Sequence, residues 1–472
     1  MKTPILNALK DKVNNNYISF HTPGHKGRNA LIDWSKYVPG MDTTEIEGMD
    51  NLLDPQGIIK ESQDYARDIY KSRATYYSVN GSTGSIHISL ASISKPGDCV
   101  LVQRNCHKAV FNGLILNRLK PLYLNPHYNK KHNITTGIDL NELEDKLKKN
   151  PKIKLVIVTY PDYYGICSNI EGVARTVHKY DAILMVDEAH GSHFNFSTRL
   201  PISSIDAGAD IVVQSIHKTL PSLTQTSLIH VCSHRIDLDR LRRNYQIYST
   251  SSPSYLFMIS AEAAISYMND NRMEMDKKLE MLKSIMKRLE SIAGVDVFTG
   301  DKDDHTIGNK DITKILLSVD GYSGRELSQI LHDRYFIDME MSDPYYALAL
   351  STIMNEESDF NRLYRAIEDI AKKRHRKKER IEIRPLPQTT IKYTPYQAYH
   401  MESQRETLDN SLGKISASTI IPYPPGIPLI VPGEVISLEI LQYISSLKEL
   451  NLEISGLLGY NREYIEVVKE RN

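Results

Sequence analysis

The chain has 472 residues, 41% of them hydrophobic, with Lys plus Arg and Asp plus Glu each totalling 58. That length buries more than one core and favours two or three domains, while zero formal net charge gives no global argument for nucleic acid or an anionic membrane. The cysteines Cys99, Cys106, Cys167 and Cys232 lack CxxC spacing, which argues against a zinc site and against a disulfide framework, and no apolar run approaches a membrane span. The expectation is an unexported, cytoplasmic protein without a metal.

Residues 1–70 are rich in Gly, Pro and charge, as in the run His21 to Arg28, and show no sustained period, so an arm with short helices is expected there. From Ala74 to His230, β-rich runs at Thr75–Val79, Cys99–Gln103, Leu155–Thr159, Ile183–Asp187, Ile211–Gln214 and Ser227–Val231 alternate with helical stretches. That alternation predicts a mainly parallel sheet covered by helices. Met275, Leu279, Leu282, Met286 and Leu289 step by three and four, an amphipathic helix leaving this unit. A second unit follows, with a strand at Lys314–Val319 and Ser323 as cap of the next helix. The basic run from Lys372 to Lys378 continues a helical pattern from Phe360 and reads as a solvated helix end. The last hundred residues carry the Pro-rich turn from Tyr423 to Pro428. Boundaries are placed at 70, 300 and 385.

Lys218 stands just after the apolar run Ile211-Val212-Val213, and Asp187 ends the strand Ile183–Asp187. A lysine desolvated at a strand end loses basicity and can form an imine, and a carboxylate on a neighbouring strand end can hold a protonated pyridine nitrogen. Together they point to pyridoxal phosphate. Val79-Asn80-Gly81-Ser82-Thr83-Gly84-Ser85 supplies a strand, a glycine turn and the start of a helix expected over Ser85–Ser94, a phosphate cradle by backbone amides and dipole. Ser215 and His217 beside the lysine are further phosphate donors, and His107 sits at a strand end where its ring can stack on the pyridine.

Five motifs in order, Ser19 to Gly27, Asn80 to Gly84, Val186 to Gly191, Ser215 to Pro221 and Pro424 to Pro428, resemble the ornithine/lysine/arginine decarboxylases of the aspartate-aminotransferase fold, in the short form that lacks the receiver-like domain of the long members. The resemblance implies an α/β, fold type I pyridoxal-phosphate enzyme: a large domain (71–300) on a seven-stranded sheet, a small α+β domain (301–385) and a C-terminal decarboxylase domain (386–472). It implies that Lys218 forms the internal aldimine, Asp187 pairs with the pyridine nitrogen and His107 stacks on the ring. Gly81, Ser82, Thr83, Ser215 and His217 hold the phosphate by the same match, and His190 lies near the phenolic oxygen. The implied reaction is decarboxylation of a basic amino acid through an external aldimine and quinonoid in polyamine metabolism: arginine to agmatine, with lysine to cadaverine or ornithine to putrescine as the other readings. Lys218 and His217 are the candidate proton donors, and a homodimer or higher homo-oligomer with shared active sites is implied, Ser249 to Tyr255 being a candidate cross-interface segment. Acids for the distal cation are Glu340, Asp343, Glu402, Asp409 and Glu434. An aminotransferase and a non-catalytic regulator remain as alternatives. The DEAH spelling of Asp187 to His190 lacks the GxxxxGK[ST] loop that a helicase needs.

Overall fold

The computed structural model describes residues 13–15, 17–28, 38, 40–373, 386–423, 426–449 and 452–470. Much of the expected arm, 374–378 of the basic run, the boundary at 385, and Pro424 and Pro425 lie outside them.

Strand β1 (Ile18–Phe20) and helix α1 (Ile58–Tyr70) precede a repeating unit. It runs β2 (Ala74–Ser78), α2 (Gly81–Ile93), β3 (Cys99–Gln103), α3 (Lys108–Leu116), β4 (Lys120–Leu124), α4 (Leu140–Lys149), β5 (Ile153–Thr159), α5 (Ile170–Lys179), β6 (Ile183–Asp187), β7 (Ile211–Ser215), the single turn α6 (Ile216–Thr219) and β8 (Ser227–Val231). Strands β2 to β8 form one sheet in the order β2-β8-β7-β6-β5-β3-β4. β8 runs antiparallel to β7 and to β2, and the pairs between β7, β6, β5, β3 and β4 are parallel. Helices cover both faces, so the central strands read as continuous apolar runs: every residue of β7 and β8 is buried. The C-terminal ends of β3, β5, β6 and β7 therefore open on one side, where an α/β sheet places its ligands.

Helices α7 (Leu238–Tyr248), α8 (Tyr255–Asp270) and α9 (Arg272–Glu290) lead away from this sheet. The buried side chains of α9, Met275, Leu279, Leu282, Met286 and Leu289 with Ile285, follow the sequence period. Beyond it come β9 (Val295–Phe298), β10 (Lys314–Val319), α10 (Gly324–Tyr335), β11 (Ile337–Met339), β12 (Met341–Ser342), β13 (Ala347–Leu350) and α11 (Glu357–Lys372), with a four-stranded antiparallel sheet ordered β9-β10-β13-β12. α10 starts on a capping box between Ser323 and Glu326. β11 pairs in parallel with β1, which brings the N-terminal segment onto this second unit. Residues 403–468 form two antiparallel ribbons around a separate apolar cluster that includes Ile420, Ile430, Ile440 and Ile465. Among the described residues no helix is long and apolar enough to cross a membrane.

One buried ion pair ties this last segment to the large sheet. Arg104, the residue after β3, donates to Pro428 O (2.6 Å), Leu429 O (3.0 Å) and Glu434 Oε2 (3.1 Å), and its guanidinium lies 5.2 Å from the ring centres of both Phe111 and Tyr123. Glu434 is 1% exposed and also accepts from Val431 N and Thr389 Oγ1. Removing one member of such a pair strands the other charge in a dry interior, at about 3–5 kcal/mol. Arg104→Met should lower unfolding stability by that order in a denaturant titration; a loss under about 1 kcal/mol would show that the pair does not hold the segment.

Candidate active site

The site begins with a strand-end carboxylate. Asp187 closes β6, in register with Thr159 of β5 and Val213 of β7, and is 3% exposed. Its Oδ1 accepts from Ala189 N–H at 3.2 Å, and among the described residues no cationic nitrogen comes within 4.0 Å of it. Burial raises its pKa, opposed by the charge of Lys218 and the Ala189 amide. The next residue, Glu188, turns the other way and is fully satisfied by Ser203 Oγ, Ser204 N and Oγ and Gln214 Nε2; burial pushes it up to about 7. Two adjacent acids thus have opposite fates, one sealed into the scaffold and one left facing the cleft.

Lys218 lies in α6, directly after β7. Burial lowers its pKa below that of an ordinary lysine, with Asp187 and Glu340 pulling it back up. Its Nζ is 3.1 Å from His190 Nε2. The N-terminal segment packs on this turn: Gly24 N–H donates to His217 O at 2.7 Å, and a Cβ at Gly24 would meet Leu220 O at 2.3 Å, so only glycine fits. Lys26 follows, its Nζ donating to His21 O and Leu350 O at 2.7 and 2.8 Å, and burial brings its pKa down to about 7.

The helix expected over Ser85–Ser94 begins at Gly81 instead. Gly81 takes φ +62°, where a side chain would be strained, and donates its N–H to Gln225 O, while Gly84 N–H closes the first turn on Asn80 O. Gly81, Ser82 and Thr83 therefore form the first turn of α2, whose N-cap Asn80 makes no side-chain cap bond. Ser215 Oγ donates to Ser82 Oγ at 2.8 Å, joining the end of β7 to that turn, and Ser85 Oγ pairs with Ser227 Oγ at 2.8 Å below it. A helix N-terminus without a cap, ringed by hydroxyls, is a site for an anion.

The histidines are neutral. His107 is the N-cap of α3, its Nδ1 accepting from Ala109 N–H, and burial followed by the charge of Lys218 lowers it to about 4. His217 donates from Nδ1 to Thr226 O at 2.9 Å, and burial lowers it to about 4, so its Nε2 carries the free lone pair. His190 is buried and held well below the ordinary range by burial and then by Lys218; among the described residues its Nδ1 has no hydrogen-bond partner. Tyr163, absent from the sequence reading, meets the His190 ring edge-on at 5.5 Å. Lys314 of β10, 1% exposed, donates 3.1 Å hydrogen bonds to Asp162 O and Tyr163 O, and so fixes that tyrosine from the second sheet. The sequence signal for it is a lysine opening a strand that is apolar from Ile315 to Leu317.

Of the five candidate acids, Glu434 is committed to Arg104. Asp343 accepts from Tyr164 OH and from the amides of Tyr345 and Tyr346. Glu402 and Asp409 are exposed in the C-terminal segment. Glu340 lies at the cleft, its Oε2 accepting from Thr22 N–H at 2.6 Å.

Amine, carboxylate and anion cradle thus converge at one sheet edge. A model of the Orn/Lys/Arg decarboxylase major domain matches residues 3–339, and one of the C-terminal domain of the same family matches 376–462. An arginine decarboxylase of Bacillus anthracis is 31% identical over 485 residues, covering 99% of this chain and 98% of the relative. One from Bacillus subtilis is 29% identical over 490 residues, covering 100% and 98%. The constitutive lysine decarboxylase of E. coli superposes with a TM-score of 0.78 at 21% identity over 99% of this chain and 82% of that one.

The N-terminal segment supplies a test by pH. Lys26 titrates near 7 when folded and near 10.4 when unfolded. Between those values the unfolded chain binds the extra proton, so stability rises with pH across that window. Lys26→Met should flatten the rise in denaturant midpoint between pH 7 and pH 9; an unchanged slope would remove Lys26 as its source.

Proposed function

The chain belongs to the Orn/Lys/Arg decarboxylase family, and from that membership we propose that it is a pyridoxal-phosphate-dependent decarboxylase of a basic amino acid, with arginine converted to agmatine as the favoured reaction. The observation that carries the reading is the juxtaposition of Lys218 and Asp187 at the mouth of adjacent strands, beside the uncapped start of α2. The residues present fit the cofactor: a buried carboxylate without an ion-pair partner among the described residues for the pyridine nitrogen, an amine of lowered basicity for the aldehyde, and an amide and hydroxyl cradle for the phosphate. The substrate preference rests on the similarity to arginine decarboxylases.

Pyridoxal phosphate, when bound, supplies the electron sink for cleavage of the bond to the carboxylate. The protein supplies position and electrostatics. Ser82, Thr83 and Ser215, with the first amides of α2 from Gly81 onward and with His217, would hold the phosphate. Asp187 would keep a proton on the pyridine nitrogen, because a buried anion favours a charged partner. His107, fixed by its own helix cap, would pack beside the ring, and His190 would lie near the phenolic oxygen. Lys218 offers an amine less basic than an ordinary lysine's, because burial disfavours its ammonium. Cα would take its proton from Lys218 Nζ or His217 Nε2, each a base that must first collect one from the incoming substrate ammonium or from solvent. The neutral histidines put no cation on the departing carboxylate, and exclusion of water favours loss of its charge.

The same proposal includes the division of the chain near 70, 300 and 385, of which the last is supported by the separate apolar cluster that includes Ile420 and Val467. It also includes a homodimer in which residues 249–255 reach the partner's site. Its test is carbon dioxide release from arginine, lysine and ornithine by protein reconstituted with pyridoxal phosphate. Lys218→Ala should abolish release and the lysine-linked absorbance band, and Asp187→Ala should keep cofactor binding while slowing release at least 100-fold. Retained turnover in Lys218→Ala would overturn the assignment.

A further inference from the structure

We propose that Lys314 is a positioning residue for the Lys218 amine, acting through Tyr163 and His190, an inference that rests on the function above. Lys314 opens β10 and is 1% exposed, and its Nζ donates 3.1 Å hydrogen bonds to Asp162 O and Tyr163 O. The Tyr163 ring meets His190 edge-on at 5.5 Å, and His190 Nε2 is 3.1 Å from Lys218 Nζ. The segment before Lys314 holds the other end of the histidine turn: His193 Nε2 lies 3.3 Å from Thr313 Oγ1 and 3.3 Å from Asp311 Oδ2. Residues 311–314 of the second unit thus bear on the turn of His190 at two points.

The turn that carries Tyr163 is shaped around lysine. Asp162 Oδ1 accepts from Ile166 N–H at 2.7 Å, and Asp311 N–H donates to Gly165 O at 2.8 Å. Gly165 takes φ +83°, and a Cβ there would meet Lys310 Nζ and Lys314 Cδ, each at 3.0 Å, so the two lysines fill the inside of the turn. Among the described residues no carboxylate comes within 4.0 Å of the Lys314 ammonium, whose burial without an ion pair costs several kcal/mol. Burial lowers its pKa to about 8, with Asp311 and then Asp162 drawing it back up, so it stays charged at neutral pH. At His190, burial and then Lys218, Lys314, His107 and His217 all disfavour the imidazolium. Lys314 therefore sets the angle of the His190 ring through Tyr163 and helps keep that ring a neutral partner for the amine. An amine held at a fixed point beside a neutral ring meets the cofactor aldehyde, with loss of water, in one geometry.

The test follows the lysine-linked absorbance band as it appears when the full-length protein, freed of cofactor, is mixed with pyridoxal phosphate at pH 7. Lys314→Met should slow its appearance about tenfold, and Tyr163→Ala, which leaves both carbonyls for Lys314, about as much. The double variant should be no slower than the slower single one, because both changes act through one contact. Lys314→Arg, which keeps the charge, should recover part of the loss. Losses that multiply in the double variant would overturn the route through Tyr163, and a Lys314→Met rate within about twofold of wild type would overturn the positioning itself. Should Lys314→Met not fold, Tyr163→Ala combined with His190→Gln tests the remaining link by the same criterion. If the wild-type protein develops no such band, the cofactor reading fails; a wild-type band that the variants leave unchanged sinks this inference alone.

Discussion

The cost of burying a carboxylate at the end of β6 governs the rest of the site. Asp187 is almost wholly removed from water and has one amide to compensate it. An uncompensated buried charge costs several kcal/mol, and a protein reduces that cost by raising the group's pKa or by bringing positive charge near it. Here both occur: Asp187 titrates high and Lys218 titrates low, each opposing the shift of the other. The site is thus under electrostatic tension that a cationic ring nitrogen would relieve, and the same burial that creates the tension keeps the lysine reactive. Neighbouring groups are arranged around that tension. Glu188 is satisfied by four donors, and three histidines are held neutral.

Parts of this were legible in the sequence because they are local. The ends of β3, β6, β8 and β10 coincide with their apolar runs, and Ser323 caps α10 as its spacing with Glu326 implies. Strand β4 went unread because it opens Lys120-Pro121 and lies at the sheet edge, where proline and charge are tolerated. The start of α2 was misplaced by four residues because glycines at 81 and 84 read as turn, whereas the positive φ of Gly81 lets the helix start there. Contacts between distant segments left no local trace. Nothing near Tyr163 points to Lys314, about 150 residues later, and nothing near Thr22 points to Glu340, because each link joins a side chain to a backbone group.

Those long-range links share a pattern. The N-terminal turn reaches β13 through Lys26 and the lysine turn through Gly24, and Lys314 of β10 holds the loop bearing Tyr163. The C-terminal segment reaches the residue after β3 through Glu434. Segments outside the main sheet thus converge on its ligand-binding edge and clamp it by buried cations. Most of these cations bind carbonyls, which constrains backbone position more tightly than a surface ion pair would.

The strand order has a consequence for how the chain is made. β2, which ends at the glycine turn of Asn80 and Gly81, is an edge strand paired with β8, antiparallel from Ala74–Val231 to Ser78–Ser227. A strand emerging early from the ribosome therefore waits for a partner some 150 residues behind it. Until residue 231 has cleared the exit tunnel, Ser82 and Ser215 have no common framework, and the anion cradle does not exist. Because domains complete as units and such non-local pairing forms late, the nascent protein acquires its ligand only after the whole large sheet is synthesised, and a cell short of cofactor would accumulate a fully translated but empty chain, not an arrested fragment.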